Sequence, residues 1–149
     1  MILRVQRKAS GAPADSFFTA LGRRTLCCVR GVAFARRAEV SLVICGDGAI
    51  QRLNRRWRRK DRPTDVLSFP LLEGPLLAQP KGQPLALGDV VISVPTARRQ
   101  AAAAGKTLKT ELALLWVHGL LHLLGYDHVM KSGEKRMFAL QTRILKTDS

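Results

Sequence analysis

All three histidines of the chain lie within eleven residues, at His118, His122 and His128. His118 and His122 are four residues apart, so a helix would place them one above the other on the same face. Gly125 can end that helix in a left-handed conformation, which lets the chain bring His128 back toward the other two. Three converging imidazoles are the ligand set of a catalytic metal site that keeps a fourth position for water. The spacing therefore predicts one divalent metal ion, most simply Zn²⁺.

The same spacing, His-x3-His-x2-Gly-x2-His, occurs in one class of zinc proteases. In those proteases a glutamate follows the first histidine and activates the metal-bound water. Here that position is Gly119, so a protease would lack its general base. Asp127 is a candidate to orient an imidazole ring by accepting its free N–H. The alternative is three unrelated histidines on an apolar helix, which requires an improbable chance clustering.

The chain is strongly basic, with 25 basic residues, 11 acidic residues and a formal net charge of +14. Such a charge favours polyanionic partners, which are nucleic acids or anionic membranes. We expect nucleic acid, because the basic residues cluster rather than spread along the chain. The alternative is a general arginine richness of the source proteome.

The densest basic cluster is the segment 52–62, in which seven of eleven residues are basic. Guanidinium groups pair with phosphate, so this segment predicts a nucleic-acid-binding surface, although a merely solvated helix face is the alternative. Trp57 offers a ring for base stacking, but its spacing from Ile50 and Leu53 favours packing in the core. The candidate nucleic-acid-binding residues are Arg55, Arg56, Arg59, Lys60 and Arg62.

Cysteine usage and hydropathy indicate a cytoplasmic protein. Cys27, Cys28 and Cys45 form neither a disulfide framework nor a Cys-x-x-Cys pair, which indicates reduced thiols. A cysteine as the fourth metal ligand is a less favoured alternative. The N-terminus lacks the apolar core of a signal peptide, and the most apolar stretch, residues 112–126, is too short to span a membrane. We therefore expect a soluble protein with no membrane partner.

Hydrophobic patterning predicts one domain over residues 1–149, in the α+β or α/β class. The predicted strands are Ile2–Gln6, Val40–Cys45, Val66–Phe69 and Asp89–Val94. The predicted helices run from Asp15 or Ser16 to Arg30, from a cap at Asp47 to Pro63, from Thr96 to Ala104, from Thr107 or Thr110 through His122, and from Met137 to Leu145. Residues 70–88, rich in proline and glycine, predict a loop.

Three sequence blocks, in this order and at these separations, match one known family. They are Asp-Arg-Pro-Thr-Asp-Val-Leu-Ser-Phe-Pro at 61–70, Leu-Gly-Asp-Val-Val-Ile at 87–92, and His-Gly-Leu-Leu-His-Leu-Leu-Gly-Tyr-Asp-His at 118–128. Together they resemble YbeY, a family of bacterial endoribonucleases and rRNA maturation factors. The likeness covers roughly residues 40–145 and leaves out most of the first forty residues.

The resemblance implies a zincin-like α+β domain, in which a small mixed β-sheet packs against helices. It implies that a metal ion, usually zinc, is held by His118, His122 and His128 on a long central helix and the loop after it. The implied activity is cleavage of single-stranded RNA in 16S rRNA 3′-end maturation and ribosome quality control. The implied partners are rRNA and the ribosome or small-subunit factors, and no DNA is expected.

The resemblance also assigns catalytic residues. The family's functional arginine follows an aromatic residue before the Thr-Asp-Val-Leu-Ser-Phe block, and the matching residue here is Arg58. Arg59 stands where the family often has a small residue, which leaves open the choice between neighbouring arginines. In metal-assisted phosphodiester cleavage, His118 and Arg58 would be catalytic, and Arg58 would stabilise charge on the phosphate.

The general base is not evident from the sequence. Metal-bound hydroxide is the first candidate, and Asp127 and Asp65 follow it. Asp65 more simply forms a turn or caps local backbone amides. Two rival functions remain at this point: a metallohydrolase of a substrate other than RNA, and a non-catalytic RNA- or ribosome-binding factor stabilised by a structural metal.

Overall fold

In the computed structural model, helices and strands follow one another in a mixed order. The described residues are 1–72, 82–126 and 131–146, without the side chains of residues 131 and 132. The strands are β1 (Ile2–Arg7), β2 (Ala38–Cys45), β3 (Val66–Pro70) and β4 (Leu85–Ser93). The helices are α1 (Asp15–Arg30), α2 (Val32–Arg37), α3 (Asp47–Arg58), α4 (Val94–Ala103), α5 (Leu108–Leu123) and α6 (Lys131–Lys146).

The four strands form one mixed sheet in the order β1-β2-β4-β3. β1 pairs with β2 and β2 pairs with β4 in parallel, whereas β3 is an antiparallel edge strand on β4. Parallel neighbours need long crossover connections, and helices α1 and α2 lie in the connection between β1 and β2. A small mixed sheet packed against helices confirms the α+β prediction.

The sheet carries a large core on one face and a small core on the other. Ser68 and Val90, which pair across β3 and β4, face α5. Their neighbours Leu67 and Val91 point the other way and pack with Ile50 of α3. Because successive side chains in a strand alternate between faces, α5 and α3 lie on opposite sides of the sheet.

Helix α5 is the central helix of the large core. Thr107 caps its N-terminus by accepting a hydrogen bond from the backbone N–H of Thr110 at 3.1 Å. Trp116 is fully buried, and its indole N–H donates to the carbonyl of Phe18 in α1 at 2.9 Å. A buried indole with a satisfied N–H fixes α5 against α1 without a polar penalty.

Gly119 lets α5 lie directly against the sheet. A Cβ at this position would lie 2.6 Å from Cγ1 and 3.2 Å from Cγ2 of Val90. The carbonyl of Gly119 also accepts a hydrogen bond from the hydroxyl of Ser68 at 3.0 Å. The position that carries the general base in zinc proteases is therefore closed by packing, as well as lacking a side chain.

Asp47 joins α3 to α4 instead of capping α3 as predicted. The N-cap residue is Gly46, and no side chain caps this helix. Asp47 Oδ1 accepts hydrogen bonds from Ser93 at 2.7 Å and Thr96 at 2.6 Å, and Oδ2 accepts one from Arg99 at 2.9 Å. The bond from Thr96, with those from Ser93 and Arg99, lowers the pKa of Asp47 against the opposing effect of burial.

Several predicted boundaries were wrong. Helix α3 ends at Arg58 rather than Pro63, because Arg59 adopts a left-handed conformation with φ of 58°. Strand β4 begins at Leu85, inside the predicted loop, and Val94 belongs to α4. Residues 73–81 of that loop lie outside the described residues. Helix α2 was not predicted, and none of the described helices is long and apolar enough to cross a membrane.

Candidate active site

The last two turns of α5 bring two of the predicted metal ligands together. His118 and His122 are separated by 3.1 Å between their Nε2 atoms, and their ring centroids are 4.6 Å apart at an interplanar angle of 66°. The helical spacing of four residues produces this approach. Each ring directs its Nε2 atom toward the Nε2 atom of the other ring.

This pair fits a tetrahedral metal. Two nitrogen ligands at about 2.0–2.1 Å from a tetrahedral Zn²⁺ are separated by about 3.3 Å. The observed 3.1 Å between His118 Nε2 and His122 Nε2 is close to that separation. The same distance also suits a hydrogen bond between the two rings when no metal is bound.

The chain turns sharply after the second histidine, as predicted. Gly125 is left-handed with φ of 97°. Its N–H donates to the carbonyl of His122 at 3.0 Å, and the N–H of Tyr126 donates to Leu121 at 3.0 Å. These two bonds form a Schellman motif, which ends the helix and redirects the chain. The third predicted ligand, His128, and the predicted ring-orienting Asp127 lie outside the described residues.

A cleft of about 290 Å³ opens beside His118, between α5, α6 and the residue before β3. Its lining combines apolar side chains with acceptor groups. The described lining residues are Asp65, Glu111, Leu114, Leu115, His118, Glu134, Met137, Phe138 and Gln141. The volume is at the small end of the range for ligand pockets, which is about 300–1,000 Å³.

Asp65 borders this cleft, but its contacts are local. Its Oδ1 accepts hydrogen bonds from the N–H of Val66 at 2.7 Å and from the hydroxyl of Thr64 at 3.4 Å. Its Oδ2 accepts one from the side chain of Gln100 at 3.2 Å. These bonds support the interpretation of Asp65 as a residue that organises the start of β3 and the cleft wall.

Sequence reasoning missed the polar residues that α5 and α6 add to the cleft. Glu111 precedes His118 by seven residues, which is close to two helical turns and places both on the same face of α5. Gln141 and Phe138 come from α6, whose distance from α5 in space is not visible in the sequence. The seven-residue spacing of Glu111 was the one signal that was available.

The cysteines do not support a fourth metal ligand among the described residues. None of the described residues that line the cleft is a cysteine. Cys45 is buried in the small core, where its thiol donates to the carbonyl of Ile92 at 3.6 Å. Burial raises the pKa of Cys45, which disfavours the thiolate that a metal requires.

The basic segment forms an exposed surface at the end of α3. Arg58 is the last residue of this helix and is exposed. The following turn is held by Asn54, whose carbonyl accepts from Lys60 N–H at 3.2 Å and whose side chain donates to the carbonyl of Arg62 at 2.9 Å. The predicted nucleic-acid-binding residues Arg55, Arg56, Arg59, Lys60 and Arg62 are all exposed.

The structure does not bring Arg58 into the cleft beside His118. Arg58 is not among the described residues that line the cleft, and α3 and α5 lie on opposite faces of the sheet. The segment 59–65 connects the end of α3 to the cleft wall at Asp65. The basic surface and the histidine pair are therefore joined by one short segment at the β3 edge of the sheet.

The expected core packing of Trp57 is wrong. Its side chain is 61% exposed. The indole meets the ring of Phe69 edge-on at 6.4 Å, and the guanidinium of Arg56 lies 5.2 Å from the indole centroid. The last turn of α3 lies at the rim of the sheet, so Trp57 contacts the edge strand β3 rather than the core.

Comparison with known proteins decides the family. A family model described as "Endoribonuclease YbeY" matches residues 10–148. The chain belongs to the YbeY family. Proteins named "Endoribonuclease YbeY" are 55% identical over 109 residues in Myxococcus xanthus, 55% over 115 residues in Moorella thermoacetica and 42% over 150 residues in Allorhizobium ampelinum.

The alignments with these YbeY proteins differ in extent. They cover 72%, 74% and 96% of this chain, in the order given. The chain spans 35% of the length of the Myxococcus protein, 73% of the Moorella protein and 88% of the Allorhizobium protein. The family match begins at residue 10, so it extends into the first forty residues.

A solved structure supports the same fold. The solution structure of TM1509 from Thermotoga maritima is similar with a TM-score of 0.61 and 24% sequence identity. The similarity covers 97% of this chain and 87% of TM1509. It indicates that the arrangement of strands and helices described above is shared with that protein.

Proposed function

We propose that this chain is a metal-dependent endoribonuclease that cleaves single-stranded RNA. The observation that carries the proposal is the approach of His118 and His122 to 3.1 Å between their Nε2 atoms, beside a cleft that His118 lines. The net charge of +14 supports a polyanionic substrate. Membership of the YbeY family supports RNA in particular. We extend the proposal to 16S rRNA 3′-end maturation and ribosome quality control in the cytoplasm.

The metal would be held by His118, His122 and His128, with Zn²⁺ as the best fit to three imidazoles. When bound, such a metal supplies Lewis acidity toward a phosphoryl oxygen or a water molecule. Asp127 would orient one of the rings through its free N–H. Asp65 already accepts three hydrogen bonds and keeps the cleft wall in place, so we assign it a structural role.

The basic surface would bind the RNA backbone. Arg58 would stabilise negative charge on the phosphate, and its exposed position at the end of α3 leaves the guanidinium able to reach a bound strand. The RNA-binding residues would be Arg55, Arg56, Arg59, Lys60 and Arg62, all exposed around it. RNA that crosses the β3 edge would contact both this surface and the cleft.

The proposal is tested by assaying metal content and cleavage in the same preparation. Purified protein would be incubated with an rRNA 3′-precursor, an unrelated single-stranded RNA, a duplex RNA and casein, while elemental analysis counts bound metal. We expect about one metal ion per chain and cleavage of the single-stranded RNAs alone. Cleavage of casein would favour a metallohydrolase of another substrate. Tight RNA binding without cleavage in metal-replete protein would favour a non-catalytic binding factor.

A further inference from the structure

The cleft beside His118 differs in chemistry from the rest of the protein. The chain has 25 basic residues, yet none of the described residues that line this cleft is a lysine or arginine. Three carboxylates, Asp65, Glu111 and Glu134, line it instead. Carboxylates repel phosphate, so the cleft is not built for the RNA backbone. It suits a neutral group that offers N–H donors.

Two polar side chains in the cleft are almost fully buried. Glu111 is 6% exposed and Gln141 is 7% exposed. Neither side chain has a hydrogen-bond or ion-pair partner among the described residues. Both side chains line the cleft, so their polar atoms are accessible from it. Buried polar groups require partners, so a ligand or water that offers hydrogen bonds to these two side chains would be stabilised here.

An aromatic ring stands at the same cleft. Phe138 of α6 is 70% exposed although it lines the cleft, and Leu114, Leu115 and Met137 provide the apolar part of the wall. Single-stranded RNA is commonly recognised by stacking an unpaired base on an aromatic ring and by hydrogen bonds to its edge. Phe138 and Glu111 offer these two elements together.

We propose that this cleft is a base-recognition subsite that prefers guanine, an inference that rests on the proposed RNA substrate. A carboxylate presents two acceptors side by side, and the Watson–Crick edge of guanine presents two adjacent donors, N1–H and the 2-amino group. Gln141 can donate its amide N–H to a guanine acceptor. Glu111 lies two turns, about 10 Å, along α5 from His118, so one nucleotide reaches from the subsite to the histidines.

The first test measures binding of mononucleotides, so it does not depend on cleavage. GMP, IMP, AMP, CMP and UMP would be titrated into the metal-replete protein by calorimetry. IMP differs from GMP only by the missing 2-amino group. We expect GMP to bind roughly tenfold or more tightly than IMP and the others, because a bidentate pair discriminates by that order. Equal affinities, or no detectable binding of any nucleotide, would overturn the proposal.

Variants assign the preference to named residues. Glu111→Gln keeps the size of the side chain but exchanges one acceptor for a donor, so the ratio of GMP to IMP affinity should collapse. Glu39→Gln makes the same change on β2, outside the cleft, and should leave that ratio at the wild-type value. Phe138→Ala alters a position that is 70% exposed, and it should weaken the binding of all five nucleotides together. An unchanged GMP-to-IMP ratio in folded Glu111→Gln would remove Glu111 from the site.

The second test uses RNA cleavage and separates the two proposals. Single-stranded oligonucleotides would carry one guanosine, or inosine at the same position, in an otherwise uniform sequence. We expect cleavage next to guanosine to exceed cleavage next to inosine by roughly tenfold, and to lose that difference in Glu111→Gln. If no RNA is cleaved, the proposed function fails. If both RNAs are cleaved equally, only the guanine subsite fails.

Discussion

At the scale of single residues, the site rests on a pair of imidazoles whose approach follows from helical spacing. His118 and His122 meet because residues four apart on a helix share a face, and the 3.1 Å between their Nε2 atoms leaves room for one shared ligand. This part of the site could be predicted from the sequence, because it depends on α5 alone. The proximity of Glu111 and Gln141 could not be predicted, because α5 and α6 meet only in the folded protein.

The histidine pair makes the first prediction. His122→Ala removes one of three expected ligands, so bound metal should fall from about one ion per chain to near zero, and RNA cleavage should be lost with it. Elemental analysis and a cleavage assay on the same sample would measure both. A His122→Ala protein that keeps wild-type cleavage after metal stripping would contradict the proposed site.

Arg58 makes the second prediction. Arg58→Ala should leave metal content unchanged and lower the cleavage rate by about 10²–10³-fold, because charge stabilisation at the phosphate would be lost. Single-turnover cleavage under saturating RNA would separate this loss from weaker binding. Arg36→Ala removes an arginine of α2 that is also exposed and should cleave as wild type. If Arg58→Ala cleaved at the wild-type single-turnover rate, Arg58 would not be the residue that stabilises charge on the phosphate.

At the scale of elements, the position of α5 is set by close packing that local sequence does not reveal. Hydrophobic patterning predicted the helix with a start at Thr107 or Thr110, and Thr107 proves to be the N-cap. The contact between Gly119 and Val90, however, depends on which strand lies beneath the helix. Trp57 illustrates the opposite case. The helix that its spacing predicted is present, but the predicted packing of its side chain in the core is wrong, because Trp57 lies at the rim of the sheet. Periodicity gives the face of an element, whereas its neighbour comes from topology.

Gly119 tests this packing. Gly119→Ala gains about 1 kcal/mol of helix propensity but forces a Cβ against Val90, an overpacking that costs about 1–3 kcal/mol. We expect a net loss of about 1 kcal/mol in the free energy of unfolding, measured by urea denaturation. Gly48→Ala in α3, where the nearest atom is a flexible Arg52 guanidinium nitrogen at 3.7 Å, should stabilise instead. Equal effects of the two substitutions would show that α5 is not held this closely.

Asp47 tests the junction between α3 and α4. Because its pKa is lowered in the folded protein, its contribution to stability is present above the pKa of the unfolded chain and is lost as pH falls through the folded pKa. Asp47→Asn should cost about 1–3 kcal/mol at neutral pH and reduce the loss of stability on acidification. The exposed Asp15→Asn, which breaks a surface ion pair with Arg7, should cost less than about 1 kcal/mol. Denaturant unfolding at several pH values would measure both, and identical pH profiles for Asp47→Asn and wild type would contradict this role.

At the scale of the whole molecule, two chemically different regions are joined at one edge of the sheet. The end of α3 carries exposed arginines on one face of the sheet, and the cleft on the other face is lined by carboxylates and by His118 of the histidine pair. The edge strand β3 and the segment before it form the border between them. The basic composition predicted a nucleic-acid-binding surface. The acceptor-lined cleft could not be predicted from the number of charged residues, because the residues that line it are far apart in sequence.

This division of charge makes the last prediction. If the surface at the end of α3 contacts the RNA backbone, replacing Arg55, Arg56 and Arg59 by glutamine should remove three phosphate contacts. The slope of log affinity against log salt is negative, and its magnitude should decrease by about 2, since each contact with a single strand contributes about 0.7. Replacing the exposed Arg23, Arg30 and Arg36 by glutamine removes the same three charges elsewhere and should leave the slope near its wild-type value. Binding of a single-stranded RNA at several salt concentrations would measure the slope, and equal slopes for the two triple variants would mean that net charge alone, rather than this surface, attracts the RNA.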